Sequence, residues 1–175
     1  MKREFGILAI GAAAAAFFFR ERLNGSLPAT FSIETFMNYT RNEVRSILRT
    51  RASEAGIDPD WFDAIAHHES RYRLDAVNNA GPDAKYGGSY GPMQMLATNV
   101  ARLGYSVDQV TSDPYAAADA AVALWLEGDP NTFEDAVAWW NSGHKHMNDV
   151  PATSTAWTYL ASAKNDLAWV KENPV

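Results

Sequence analysis

Apolar residues recur along this chain at helical spacing, and almost nowhere with the strict alternation of a strand. The clearest stretch starts at Asp58-Pro59, an N-cap oxygen followed by proline at the first helical position. From there Phe62, Ile65, Ala66 and Glu69 fall at i, i+3, i+4 and i+7, one face of a 3.6-residue period. That face packs, and its last member is a glutamate.

The same reading places the other elements. Thr40-Arg-Asn-Glu43 has the form of a capping box, and the helix after it carries Val44, Ile47, Leu48 and Ala52 on one face until Gly56 stops it. Arg41, Arg45, Arg49 and Arg51 lie mostly on its other side and read as a solvated face. Residues 75–92 are dense in turn formers, with room for a small β-hairpin within Lys85 to Tyr90. Gly91-Pro-Met-Gln94 then opens a helix expected to reach about Leu103. Asp113-Pro114 starts an alanine-rich helix through Trp125 and Leu126, broken at Gly128-Asp-Pro130. Thr132 to Trp140 is helical with Phe133, Ala136, Val137 and Trp140 on one face. A last helix from about Ser154 carries Trp157, Tyr159, Leu160, Leu167 and Val170. The pattern predicts a mainly α, compact helical domain with at most a small hairpin.

The N-terminus has a different texture. Met1-Lys-Arg-Glu4 precedes an uncharged run from Phe5 to Phe19, then Arg20-Glu-Arg22. As a helix the run spans about 22 Å, short of a hydrocarbon core of about 30 Å unless the flanking arginines snorkel. Small residues from Ala12 to Ala16 offer cleavage sites, but three phenylalanines follow them. The expectation is a hydrophobic helix acting as an uncleaved membrane anchor over 1–22, with a cleaved signal as the alternative. Residues 23–40 form a linker, and 41–175 the domain.

Composition narrows this only slightly. At 175 residues, 47% hydrophobic and 21% charged, the chain is globular. Its eight Phe, seven Tyr and six Trp suit a carbohydrate cleft and a helical core equally. A net charge of −6 argues against nucleic acid as a partner. The absence of cysteine excludes disulfides and thiolate metal sites.

Glu69 changes the picture most. Burial and the negative end of the helix dipole both disfavour its ionised form and raise its pKa. A carboxylic acid kept neutral near physiological pH is what a general acid requires. The alternative is a structural glutamate paired with Arg71 or Arg73. His67 and His68 suggest a metal, but adjacent helical side chains diverge by about 100°, so they do not readily face one ion. No metal and no cofactor is expected.

Four pieces in order resemble a known family: Ala66-His-His-Glu69-Ser70; Tyr90-Gly-Pro92-Met93-Gln94-Met95 with Thr98; Ala138-Trp-Trp140-Asn141-Ser-Gly143; and Trp157-Thr-Tyr159-Leu160-Ala161. Together they resemble the lytic transglycosylases of the soluble-lytic-transglycosylase type, relatives of goose-type lysozyme, over about Val44 to Ala163. Pro92 stands for the usual Leu and Trp140 for the usual Tyr. Ala117 and Ala121 stand near where the family has an Asn and a Gly, which leaves open helix packing or a substrate contact. The resemblance implies an α+β lysozyme-like fold with a cleft. It implies an enzyme that cleaves peptidoglycan glycan strands between N-acetylmuramic acid and N-acetylglucosamine, leaving 1,6-anhydro ends, with Glu69 as the single acid and base. Ser70, Ser89, Tyr90, Met93, Gln94, Asn141 and Tyr159 are its implied substrate-binding and positioning residues.

Two other readings stand beside this one. Asp83, in the loop, provides a second carboxylate for a hydrolytic muramidase. A non-catalytic peptidoglycan-binding part of a virion or envelope assembly is the third. In each, the domain faces the periplasm or cell wall, tethered to the membrane, exported, or carried on a virion.

Overall fold

Capping chemistry sets where the helices of this protein begin. The computed structural model describes residues 39–175. Helix α1 (Arg41–Glu54) starts with the expected capping box: Thr40 Oγ1 accepts from the Glu43 N–H, and the Glu43 carboxylate accepts from the Thr40 N–H at 2.7 Å. Helix α2 (Pro59–Ser70) starts on Asp58, whose Oδ1 accepts from the Asp60 N–H at 2.8 Å. Then come β1 (Val77–Asn78), a 3-10 turn (Gly81–Tyr86), β2 (Ser89–Tyr90) and β3 (Met95–Leu96). Helices α3 (Ala97–Arg102), α4 (Val107–Ser112), α5 (Pro114–Gly128) and α6 (Phe133–Ser142) follow. A short 3-10 turn (Met147–Asp149) leads to α7 (Ala156–Glu172). The fold is mainly helical, as the periodicity predicts.

Helix α2 runs through the middle. It packs on α1 and α7, and Phe62, Ala64, Ile65 and Ala66 are all fully buried. Its apolar face is therefore wider than one stripe. Phe62 meets Trp125 of α5 with ring centroids 5.3 Å apart, and Trp125 in turn meets Trp140 of α6. Ala117 and Ala121 are buried in α5, so both positions serve helix packing.

Several expectations need correction. Arg45 is not on a solvated face. It is 5% exposed and holds Asp63 of α2, with Nε 2.9 Å from Oδ2. Arg49 Nη1 donates to the same oxygen at 2.8 Å, and Tyr72 OH to Oδ1 at 2.6 Å. A buried carboxylate is tolerable only with such partners, and it draws the arginines inward. No hairpin forms within 85–90. The sheet is antiparallel in the order β1-β2-β3, with Val77 opposite Tyr90 and Tyr90 opposite Met95, and Lys85 and Tyr86 end the 3-10 turn. Gly91 to Gln94 is a turn, not the start of a helix, because Gly91 (φ 74°) and Gln94 (φ 47°) are both left-handed. Helix α4, capped by Ser106 and Gln109, was not anticipated. The expected anchor of 1–22 and nearly all of the 23–40 linker lie outside the described residues. Among the described residues no helix is long and apolar enough to cross a membrane.

Candidate active site

The carboxyl group of Glu69 sits in the last turn of α2, half-buried. Among the described residues one hydroxyl reaches it: Tyr159 OH donates to Oε1 at 2.6 Å. Burial pushes its pKa up to about 7, the negative charge of Asp83 adds to the rise, and the Tyr159 hydrogen bond opposes it. Burial and the neighbouring Glu69 hold the Tyr159 hydroxyl well above its ordinary range, so it stays a donor. Neither Arg71 nor Arg73 pairs with Glu69. Arg71 contacts His67, and Arg73 approaches Asp75.

Behind the pair lies Asp166 of α7. His67 Nδ1 lies 2.6 Å from one of its oxygens and His68 Nδ1 2.7 Å from the other. The two rings diverge, and one carboxylate bridges them. Arg71 Nη1 sits 3.0 Å from His67 Nε2. Arginine only donates, so Nε2 accepts and the His67 proton is on Nδ1, toward Asp166. The His68 ring stands edge-on to Tyr159 at 4.3 Å. Asp166 was missed from the sequence. It lies seven residues after Tyr159, on the same face of α7, and that spacing was the available signal. Among the described residues no cluster of three or more His, Cys, Asp or Glu can hold a metal.

An open cavity of about 250 Å³ borders Glu69, Ser70 and Gln94, together with Arg71, Arg73 and Ala76. Ser70 Oγ does not reach Glu69. It donates to Pro92 O at 2.8 Å and accepts from the Arg73 N–H, tying the helix end to the turn at 91–94. Gln94 Nε2 donates to Gly91 O at 3.0 Å and to Ala76 O at 3.3 Å. Ser89 is 2% exposed, its hydroxyl within reach of Asp83 (2.9 Å) and Gln94 Oε1 (3.2 Å). Tyr90 OH is committed within the loop, to Gly87 O and Asn79 Oδ1. Met93, which the resemblance places among the substrate-binding residues, is 1% exposed, and its side chain packs in the core. Its carbonyl accepts from Trp140 Nε1 at 3.2 Å, which attaches α6 to the turn. Asn141 is exposed in the last turn of α6 and does not line this cavity.

The geometry thus unites an acid of near-neutral pKa, a hydrogen-bond donor on it and an open cleft with amide and guanidinium groups. Such a carboxyl can give a proton and take one back. A family model described as the transglycosylase SLT domain matches residues 46–159, from within α1 to the first turn of α7. The chain belongs to the transglycosylase SLT domain family. This SLT domain is a lytic-transglycosylase type of protein whose substrate is peptidoglycan. A search of curated proteins and a search of solved structures each found no match. Within the SLT domain the matched stretch holds Glu69, Gln94 and Tyr159, while Asp166 lies beyond its end.

Proposed function

We propose that the protein is a lytic transglycosylase in which Glu69 acts alone, first as acid and then as base. The observation that carries this is a carboxyl with a pKa near 7 beneath an open cleft, held by the Tyr159 hydroxyl. Protonated Glu69 gives its proton to the glycosidic oxygen between N-acetylmuramic acid and N-acetylglucosamine, and the bond from C1 to that oxygen breaks. The carboxylate left behind, steadied by Tyr159 OH, takes the proton of the muramic acid's own 6-hydroxyl as that oxygen bonds to C1. One bond breaks, one forms, the proton returns to Glu69, and no water is consumed. The product end is 1,6-anhydro. Ser70, Ser89 and Gln94 serve by fixing the turn beside the acid. Asn141 and Tyr90 border the strand farther out.

A second reading has one observation in its favour: Asp83 stands close enough for its charge to raise the pKa of Glu69. As a base for water it gives an inverting hydrolase. Against that, Ser89 and Asn78 already hold its carboxylate, and it sits on the 3-10 turn. Asp83→Asn separates the two readings. Transglycosylation survives within a few-fold, whereas hydrolysis is lost. In this proposal residues 1–22 tether the domain at the cell envelope; recovery of the full chain from soluble fractions alone speaks against the tether. The defining experiment is mass spectrometry of muropeptides released by wild type and Glu69→Gln. Anhydro ends from wild type, and no release by the variant, support the proposal. Reducing ends overturn it.

A further inference from the structure

Two arginines line the cavity beside Glu69, and the chemistry above leaves them without a role. Arg71 directly follows α2, Arg73 comes two residues later, and both border the same space as Glu69, Ser70 and Gln94. The backbone reaches this arrangement against steric opposition. Arg71 (φ 56°) and Tyr72 (φ 63°) are both left-handed, a region that residues with a Cβ seldom enter. The turn drives Tyr72 inward to donate to Asp63 and leaves the arginines on either side of it exposed. Glycine makes the first of these turns freely, yet arginine stands there. The 3.0 Å contact with His67 steadies the Arg71 guanidinium by one nitrogen and leaves its Nε and Nη2 donors available. The Arg73 side chain is 52% exposed. Among the described residues its guanidinium approaches only Asp75, at 4.0 Å.

In a chain of net charge −6, two cations facing one cleft call for an anionic ligand. We propose that Arg71 and Arg73 bind a carboxylate on the glycan strand beside the scissile bond, making the cleft selective for acid-bearing over uncharged strands. This rests on the reading of the cleft as a peptidoglycan-cleaving site. Two groups on such a strand supply the carboxylate: the lactyl acid of muramic acid where the stem peptide has been removed, and the acidic residues of the stem where it is present. The guanidinium fork accepts either one through paired N–H donors. When Glu69 is protonated for the first step, it offers the arginines no competing charge.

The test compares kcat/KM on intact murein, on amidase-stripped glycan, and on both after carbodiimide amidation of their carboxyls. Wild type prefers the untreated strands about tenfold, the size of one charge-assisted contact partly open to water, and the preference shrinks in about 0.5 M salt. Arg73→Gln and Arg71→Gly each reduce the preference severalfold through KM. A preference confined to stripped glycan assigns the lactyl acid; one confined to intact murein assigns the stem. Equal preference in wild type and both variants, or indifference of wild type to amidation, overturns the proposal. Co-sedimentation of Glu69→Gln with murein sacculi, with and without Arg73→Gln and with and without amidation, repeats the comparison without turnover. A wild type that cleaves nothing defeats the proposed function, and the sedimentation result still judges the arginines.

Discussion

At Glu69 one side chain answers to opposed demands. Burial favours the neutral acid that protonates a leaving group, while Tyr159 favours the carboxylate that must follow. The folded-state pKa of about 7 exceeds that of an exposed glutamate. Ionising Glu69 within the fold therefore weakens it, from nothing near pH 4 to a full penalty, about 3 kcal/mol at most, once the pH passes 7. Glu69→Gln should abolish cleavage, and raise Tm by several degrees at pH 8 with little change near pH 4. Equal Tm differences at both pH values contradict the assignment. Tyr159→Phe removes the group that lowers the pKa. The alkaline limb of the kcat/KM profile should then move to higher pH, and kcat should fall about tenfold, since the base form loses its donor. Glu69 was legible in the sequence because its signal is local, an acid at the i+7 place of an apolar stripe. Asp63 and Asp166 were not, because the arginines that hold Asp63 lie 14–18 residues away and the histidines that hold Asp166 lie 98–99 residues away.

Among the elements, the turn at 91–94 positions more of the site than any helix except α2. Its shape depends on Gly91: a Cβ there would lie 2.5 Å from Val110 O of α4, at φ 74°. Gly91→Ala should destabilise the protein by roughly 2 kcal/mol or more in urea titration and reduce turnover by moving Gln94 and the Pro92 carbonyl that holds Ser70. The buried part of the polar link between α1 and α2 centres on Asp63, while Arg49 also reaches Asp60 at 2.9 Å nearer the surface. Asp63→Asn leaves Arg45 buried beside a neutral amide and should cost about 3–5 kcal/mol. A loss below 1 kcal/mol means the arginines find water instead. Helix starts could be read from the sequence because caps act within three or four residues: Thr40, Asp58 and Asp113 cap where expected, and Thr132, read as the first helical residue, is the cap just before it. The two-residue strands could not. Their pairing spans residues 77–96 and leaves no run long enough to show a period.

For the molecule as a whole, α7 closes the structure over α2. It brings Tyr159 to Glu69 and Asp166 to both histidines, and it buries Val170 while Trp169 stacks on His67 at 4.1 Å. A chain ending at residue 164 keeps all of the family-matched stretch but loses this clamp. Its Tm should fall by roughly 10–20 °C, and an unaltered melting curve contradicts the role given to α7. The central claim is that an internal hydroxyl, not water, attacks the sugar, with Glu69 carrying the proton both ways. Digestion of murein in oxygen-18 water tests it most directly. Fragments released by wild type should carry anhydro ends without heavy oxygen, and Glu69→Gln should release none. Heavy oxygen at new reducing ends would show that water is the nucleophile and contradict the claim.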